Sequence, residues 1–112
     1  MAYSRKAEFH QLRSLAHGSI GAAYVAVGSA FDDGVRILMV QNYTDTQMLF
    51  SIDGSTDHFT LNAGAQVIFD ITTNRVEDVP FFMEKGDTVY VKQVAAPSSG
   101  SVYLTAIHGD SN

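Results

Sequence analysis

Residues 35–54 read VRILMVQNYTDTQMLFSIDG, two β-rich apolar runs on either side of a polar Asn42-Tyr43-Thr44-Asp45-Thr46 segment. The stretch predicts a β-hairpin. Val35, Ile37 and Met39 alternate along the first run and Met48, Phe50 and Ile52 along the second, the period of two that a strand with one buried face requires. Asn42 to Thr46 forms the turn, closed by Asn42 and Asp45, whose short polar side chains bond to nearby backbone groups and tolerate left-handed geometry. Asp53-Gly54 then ends the second strand. Leu38 and Val40 in the first run and Leu49 in the second are apolar on the opposite face. That face is also expected to be covered, by a second layer of the chain or by another molecule.

Downstream of the hairpin, His58-Phe59-Thr60-Leu61 predicts a short strand closed by Asn62-Ala63-Gly64, and Ala65, Val67, Phe69 and Ile71 alternate in the next. Residues 74–79 are polar and lead into Pro80, so Pro80-Phe81-Phe82-Met83 is either an edge strand or a packed loop. Lys85-Gly86-Asp87 turns the chain into TVYVKQV, and Pro97-Ser98-Ser99-Gly100 turns it again into SVYLTAIHG. These last two runs predict a second hairpin. Upstream, GAAYVAVGSAF at residues 21–31 predicts a strand, followed by an Asp32-Asp33-Gly34 turn. About eight short strands separated by turn signals, with no long helical pattern, predict an all-β fold. Its form is an antiparallel β-sandwich, jelly-roll or Greek-key in type.

The 112 residues make one domain, and 46% hydrophobic content suffices for a packed core without staples. Cysteine is absent, which removes disulfides, thiolate metal sites and a cysteine nucleophile. No apolar run has signal-peptide length, and none approaches the roughly 18 residues of a membrane span, so neither export by a readable signal nor a membrane association is expected. Asn42-Tyr43-Thr44 matches a glycosylation sequon but is read as the turn.

The net charge of -5 argues against a nucleic-acid surface, which needs clustered Lys and Arg. Residues 1–13 hold Arg5, Lys6 and Arg13 against Glu8, a balance of +2 that leaves -7 for the rest of the chain. Residues 1–19 are accordingly expected to form a basic N-terminal arm, and residues 20–112 the sandwich domain. In the arm, Arg5, Lys6 and Arg13 would meet an acidic neighbouring surface while Phe9 and Leu12 add apolar contact. Leu49 and Tyr103 are expected on the face that a partner covers.

No constellation of catalytic residues emerges. Asp53-Gly54-Ser55-Thr56-Asp57 begins like a calcium loop, but His58 stands where that loop needs Gly and Gly64 where it needs a bidentate Glu. His10 and His17 are seven apart, about 10 Å of helical rise and too far to share one ion, and His58 and His108 lie in different strands. Gly18-Ser19-Ile20-Gly21 lacks the spacing of a nucleophile elbow and precedes a strand. Asp32-Asp33 and Glu77-Asp78 are adjacent loop carboxylates, which are ordinarily solvated, and Lys85-Gly86-Asp87 is a turn. No catalytic, cofactor-binding or metal-binding residue is assigned, and the expected class is not an enzyme.

Four motifs in order carry a family resemblance. They are Asn42-x-Thr44-Asp45, Ser51-Ile52-Asp53-Gly54, Gly86-Asp87-Thr88-Val89-Tyr90-Val91-Lys92 and Ser99-Gly100-Ser101-Val102-Tyr103. Over about residues 35–109 the chain resembles the jelly-roll decoration proteins, also called cement or staple proteins, that clamp the outside of short-tailed phage capsids. The resemblance implies a virion structural protein that stabilises the capsid by bridging neighbouring capsid subunits. It places the protein on the capsid exterior, and in the host cytoplasm during assembly. It implies the major capsid protein and further copies of the chain as partners, a dimer being favoured, with no cofactor and no nucleic-acid or membrane partner. Residues 1–19 fall outside it. Alternatives are a head-tail joining or fibre-associated virion protein, or a small carbohydrate-binding sandwich. Against the last, Trp is absent and the Tyr and Phe residues sit mostly in strands.

Overall fold

The computed structural model describes residues 7–9, 11–31, 35–70 and 87–109, and apart from one 3-10 turn at His17–Ser19 their regular elements are strands. In chain order these are β1 (Ala7–Phe9), β2 (Arg13–Ala16), β3 (Val25–Ala26), β4 (Val35–Asn42) and β5 (Met48–Ser51). β6 (Phe59–Leu61), β7 (Gln66–Asp70), β8 (Tyr90–Gln93) and β9 (Ser101–Gly109) follow. One sheet runs β1-β9-β4-β7, with β2 also on β9, and the other runs β3-β8-β5-β6. β1 pairs with β9 from Ile107 to Gly109 and β2 from Ser101 to Leu104, so the two short strands lie end to end along one edge. They act as a single interrupted strand, which leaves four strand positions in each sheet.

The pairings are nested: β2 with β9, β3 with β8, β4 with β7 and β5 with β6, all antiparallel. A chain folded once on itself and then rolled into two layers gives this order, which defines a jelly roll. The all-β sandwich read from the sequence is therefore the fold.

Both expected hairpins are corrected. β4 and β5 lie in different sheets, as do β8 and β9, so residues 43–47 and 94–100 are corners at which the chain crosses from one layer to the other. Period-two alternation is the same for strands paired side by side and for strands that face each other across a core, so periodicity alone does not separate the two cases. The phase of β4 also differs. The pairing register shifts between Val35 and Ile37, and this irregularity turns Val35, Leu38 and Val40 into the core while Ile37 and Met39 face outward.

The core is filled from both layers. Leu38 and Val40 of β4, Val102, Leu104 and Ala106 of β9, Met48 and Phe50 of β5, Val91 of β8 and Leu61 of β6 form one cluster, which Ile20, Val27 and Phe31 also join. Phe50 stacks on Phe59 with centroids 5.1 Å apart, and Phe59 meets Phe69 edge-on at 5.2 Å, a row of rings that joins β5 and β6 to β7.

The boundary expected at residue 19 does not separate an arm from a body in the described residues. β1 and β2 are part of the sheet, and Leu15 packs against the core. Arg5 and Lys6 lie outside the described residues. So do His10, the Asp32-Asp33-Gly34 turn and residues 71–86, which include the Pro80-Phe81-Phe82-Met83 segment.

The β4–β5 corner is held by Asn42. Its fully buried amide donates to the carbonyls of Thr46, Leu61 and Asn62 at 2.9, 2.9 and 3.2 Å, and its oxygen accepts from the Thr44 backbone and hydroxyl. Asp45, expected to close the same loop, instead reaches the other corner and accepts from the backbone and hydroxyl of Ser98. The corners press together at Gly100, where φ is +89° and an added Cβ would overlap the Tyr43 carbonyl oxygen.

Candidate functional site

Strand register sorts the outward side chains into two surfaces of different chemistry. On the β3-β8-β5-β6 sheet, Leu49 pairs with Lys92 on one side and Thr60 on the other, so the three share the outer face. This surface is polar and internally bonded. Tyr24 donates to Asp57 at 2.5 Å, Lys92 lies 3.3 Å from the same carboxylate and 4.7 Å from the Tyr24 ring centroid, and Gln47 donates to Thr60 at 2.9 Å. Burial first, then the hydrogen bond to Asp57 and the charges of Asp57 and Asp53, raise Tyr24 above the ordinary phenol range.

The outer face of the β1-β9-β4-β7 sheet is different. Its rows run Phe9–Ile107–Ile37–Asp70, then Thr105–Met39–Ile68, then Ser14–Tyr103–Gln41–Gln66. Phe9 is 72% exposed and Ile68 55% exposed, with Ile37, Met39 and Ile107 half-buried between them. At one end the apolar rows give way to a hydrogen-bonded border. Gln41 donates to the Tyr43 hydroxyl at 3.0 Å, that hydroxyl donates to Gln66 at 3.1 Å, and Tyr43 meets Tyr103 edge-on at 5.9 Å.

The residues singled out in the sequence are thus dispersed. Leu49 and Tyr103 stand on opposite outer faces, so one partner surface does not take both. Phe9 joins the apolar face, and Leu12 is exposed in the β1–β2 connection. Arg13 is engaged within the chain: its guanidinium lies 4.3 Å from the Phe31 ring centroid and donates to the carbonyls of Ser29 and Ala30. Ile37 and Met39 were expected on the buried face, and Ile68 and Ile107 were not singled out. The signal for Ile68 and Ile107 lay in the alternation, since each is out of phase with a run, Val67 and Phe69 or Leu104 and Ala106, that already accounts for the buried face.

The loop that begins like a calcium site is a turn in which Asp53 accepts from the Ser55 and Thr56 amides, each at 2.8 Å, and from the Ser51 hydroxyl at 2.9 Å. These bonds, the two amides foremost, hold its carboxyl well below the usual range. Among the described residues, no group of three His, Asp or Glu side chains could hold a metal ion. A depression of about 470 Å³ opens beside this turn, lined by Ile52, Asp53, His58, Phe59 and Phe69. Its two polar side chains serve the turn itself, His58 by accepting the Ile52 amide at 3.0 Å.

No protein-family model and no curated protein matches the sequence. Among solved structures, one fold covers nearly the whole chain. It is a chain from the structure described as "Bacillus endospore appendages form a novel family of disulfide-linked pili", with TM-score 0.51 and 13% identity over 94% of this chain and 89% of that one. At that identity the likeness is one of fold, that of a small β-sandwich used in a structural protein. The disulfide linkage named for those pili has no counterpart in these 112 residues, which contain no cysteine.

Proposed function

We propose that this chain is a virion structural protein that decorates a phage capsid and stabilises it by bridging neighbouring capsid subunits, with no chemistry of its own. The observation that carries the reading is the outer face of the β1-β9-β4-β7 sheet, an apolar surface with a hydrogen-bonded border on a rigid sandwich. A contiguous apolar patch of this kind marks a contact site, and here it belongs to a jelly roll whose other outer face is polar and internally bonded. The resemblance of four sequence motifs to those of capsid decoration proteins is what favours the shell as the assembly in this reading. The pilus likeness is compatible with a jelly roll used in assemblies of repeated subunits.

Such a protein works by linkage: binding the assembled shell and not its dissociated subunits lowers the free energy of the shell and raises its resistance to heat and internal pressure. The test is a map of the virion with this chain located in it. Copies spread over the whole shell support decoration, whereas a single ring at one vertex overturns it in favour of a head-tail joining role.

A further inference from the structure

We infer that the depression between the edges of β6 and β7 is a recognition site for an arginine side chain, flanked by an apolar residue, on a peptide segment of a partner protein. The site shares no residue with the apolar outer face of the β1-β9-β4-β7 sheet, and it does not depend on the decoration reading.

The opening follows from the topology. β6 and β7 are edge strands of the two sheets, and Phe59 and Phe69 meet edge-on at 5.2 Å where those edges face each other. Phe50 stacks behind Phe59 at 5.1 Å, so the Phe59 ring is held in place before a ligand arrives and little side-chain freedom remains to be lost on binding. Ile52, just past β5, adds to the apolar lining, and the exposed side chains of Asp53 and His58 supply the polar groups. Its volume of about 470 Å³ falls among ligand sites, which span about 300–1,000 Å³ and pair apolar and aromatic walls with a few polar atoms.

Those polar atoms select a cation. The hydrogen bonds that Asp53 accepts from Ser51, Ser55 and Thr56 all end on Oδ1, and Oδ2 takes none of them. Among the described residues Asp53 forms no ion pair, whereas the neighbouring Asp57 is already engaged by Lys92 and Tyr24. The turn amides hold the Asp53 carboxyl well below the usual range, so it is anionic at neutral pH. A carboxylate beside aromatic rings suits a guanidinium, which lies against a ring while its fork of N–H groups meets the carboxylate. His58 accepts the Ile52 amide at Nδ1, which places the proton of the neutral ring on Nε2 as a donor for a peptide carbonyl. An anionic ligand is repelled by Asp53, and the net charge of -5 favours the approach of a basic partner.

The shape selects a side chain over a free small molecule. A depression open to solvent leaves much of a small ligand in water, but a partner surface that presents the arginine also covers the opening. Arginine anchors in apolar surroundings are among the residues that carry most of the binding energy of protein contacts.

The test is an amide NMR titration of the isolated full chain with acetyl-leucyl-arginine amide, and with acetyl-leucyl-citrulline amide as its neutral counterpart. The arginine peptide should give saturable shifts at Ile52, Asp53, His58, Phe59 and Phe69 with a Kd of about millimolar order, and the citrulline peptide should bind about fivefold more weakly. Asp53→Asn keeps an oxygen for the turn amides and removes the charge, so that protein should bind the two peptides alike. Asp45→Asn, at the far end of β5, should retain the preference for arginine. Thermal melts identify any variant that fails to fold, in which case the comparison of the two peptides on the wild-type chain decides. Absence of saturable shifts overturns the inference, as does equal binding of both peptides by the wild-type chain, or a preference that survives in folded Asp53→Asn or is lost in folded Asp45→Asn. Shifts at the same amides on dilution of the protein alone would name a second copy as the occupant and overturn it as well.

Discussion

The side-chain amide of Asn42 donates to the Leu61 carbonyl across 2.9 Å in the buried interior, joining the β4–β5 corner to the end of β6. The same amide also reaches Thr46 and Asn62, so one side chain ties together two connections far apart in sequence. Asn42→Ala would leave several buried groups without partners, at about 1–3 kcal/mol for each one that water does not reach. A loss of roughly 3 kcal/mol or more in urea-melt stability is the expected outcome. A loss below 1 kcal/mol would mean that the corner is held by its backbone alone.

Face assignment in β5 gives a contrast between neighbours. Phe50 is fully buried against Phe59, whereas Leu49 faces outward beside Lys92 and Thr60. Phe50→Ala should cost about 3–5 kcal/mol and Leu49→Ala about 1 kcal/mol or less. Val91→Ala, from the strand paired with β5, should group with Phe50. Equal losses at positions 49 and 50 would contradict the register.

Arg13 holds the interrupted edge strand to the body through Phe31 and two carbonyls. Arg13→Ala should lower stability by about 1–2 kcal/mol, and Arg13→Lys should recover less than half of that, because an ammonium does not present the fork of donors that reaches both Ser29 and Ala30. Removal of residues 1–19 strips β9 of its neighbours on one side, leaving β4 on the other, and uncovers the core beside Leu15. The truncated chain should melt at a lower temperature than the full one, and an unchanged melt would restore the reading of a free arm.

Acid should weaken the fold through its turns. Asp53 is lowered chiefly by the Ser55 and Thr56 amides, Asp45 by the Ser98 hydroxyl and amide, and Asp57 by the Tyr24 hydroxyl. A carboxyl whose folded value lies below its unfolded one of about 3.9 contributes stability that is complete above that value and is lost as pH falls through the folded value. Urea midpoints should therefore be flat from neutral pH to about pH 5 and decline below about pH 4. Asp53→Asn should remove part of the decline while lowering the neutral plateau.

The strands were legible in the sequence because each carries a regular alternation: Val67 and Phe69 against Ile68, or Val102, Leu104 and Ala106 against Tyr103 and Thr105. Their pairing was not, because the same period serves strands that are neighbours and strands that oppose each other, and β4 and β5 oppose. The register shift after Val35 then inverted the expected faces of Ile37 and Leu38, which moved Ile37 and Met39 from the presumed core to the surface proposed for assembly. The Arg13–Ala16 strand was invisible for another reason: four residues are too few for a pattern, and the partner that makes them a strand lies at the far end of the chain. Asn42 was readable as a corner residue, but its reach to Leu61 and Asn62 depends on a fold that the local sequence does not specify.

The nesting of the strands sets a schedule for synthesis. β9 lies between β4 and the β1–β2 edge, yet it is made after all the other described strands, so the sheet lacks its centre until residues 101–109 have left the ribosome. Pairing between the ends of a chain carries a loop-closure cost that slows folding of all-β domains into the range of milliseconds to seconds. Ribosome-bound chains stopped before residue 101 should accordingly be digested by protease as unfolded polypeptide, and resistance should appear only after β9 has emerged. A cell making many copies at once would thus carry a pool of unfinished chains with apolar strands unpaired, and the emergence of β9 becomes the step that commits each copy to its fold.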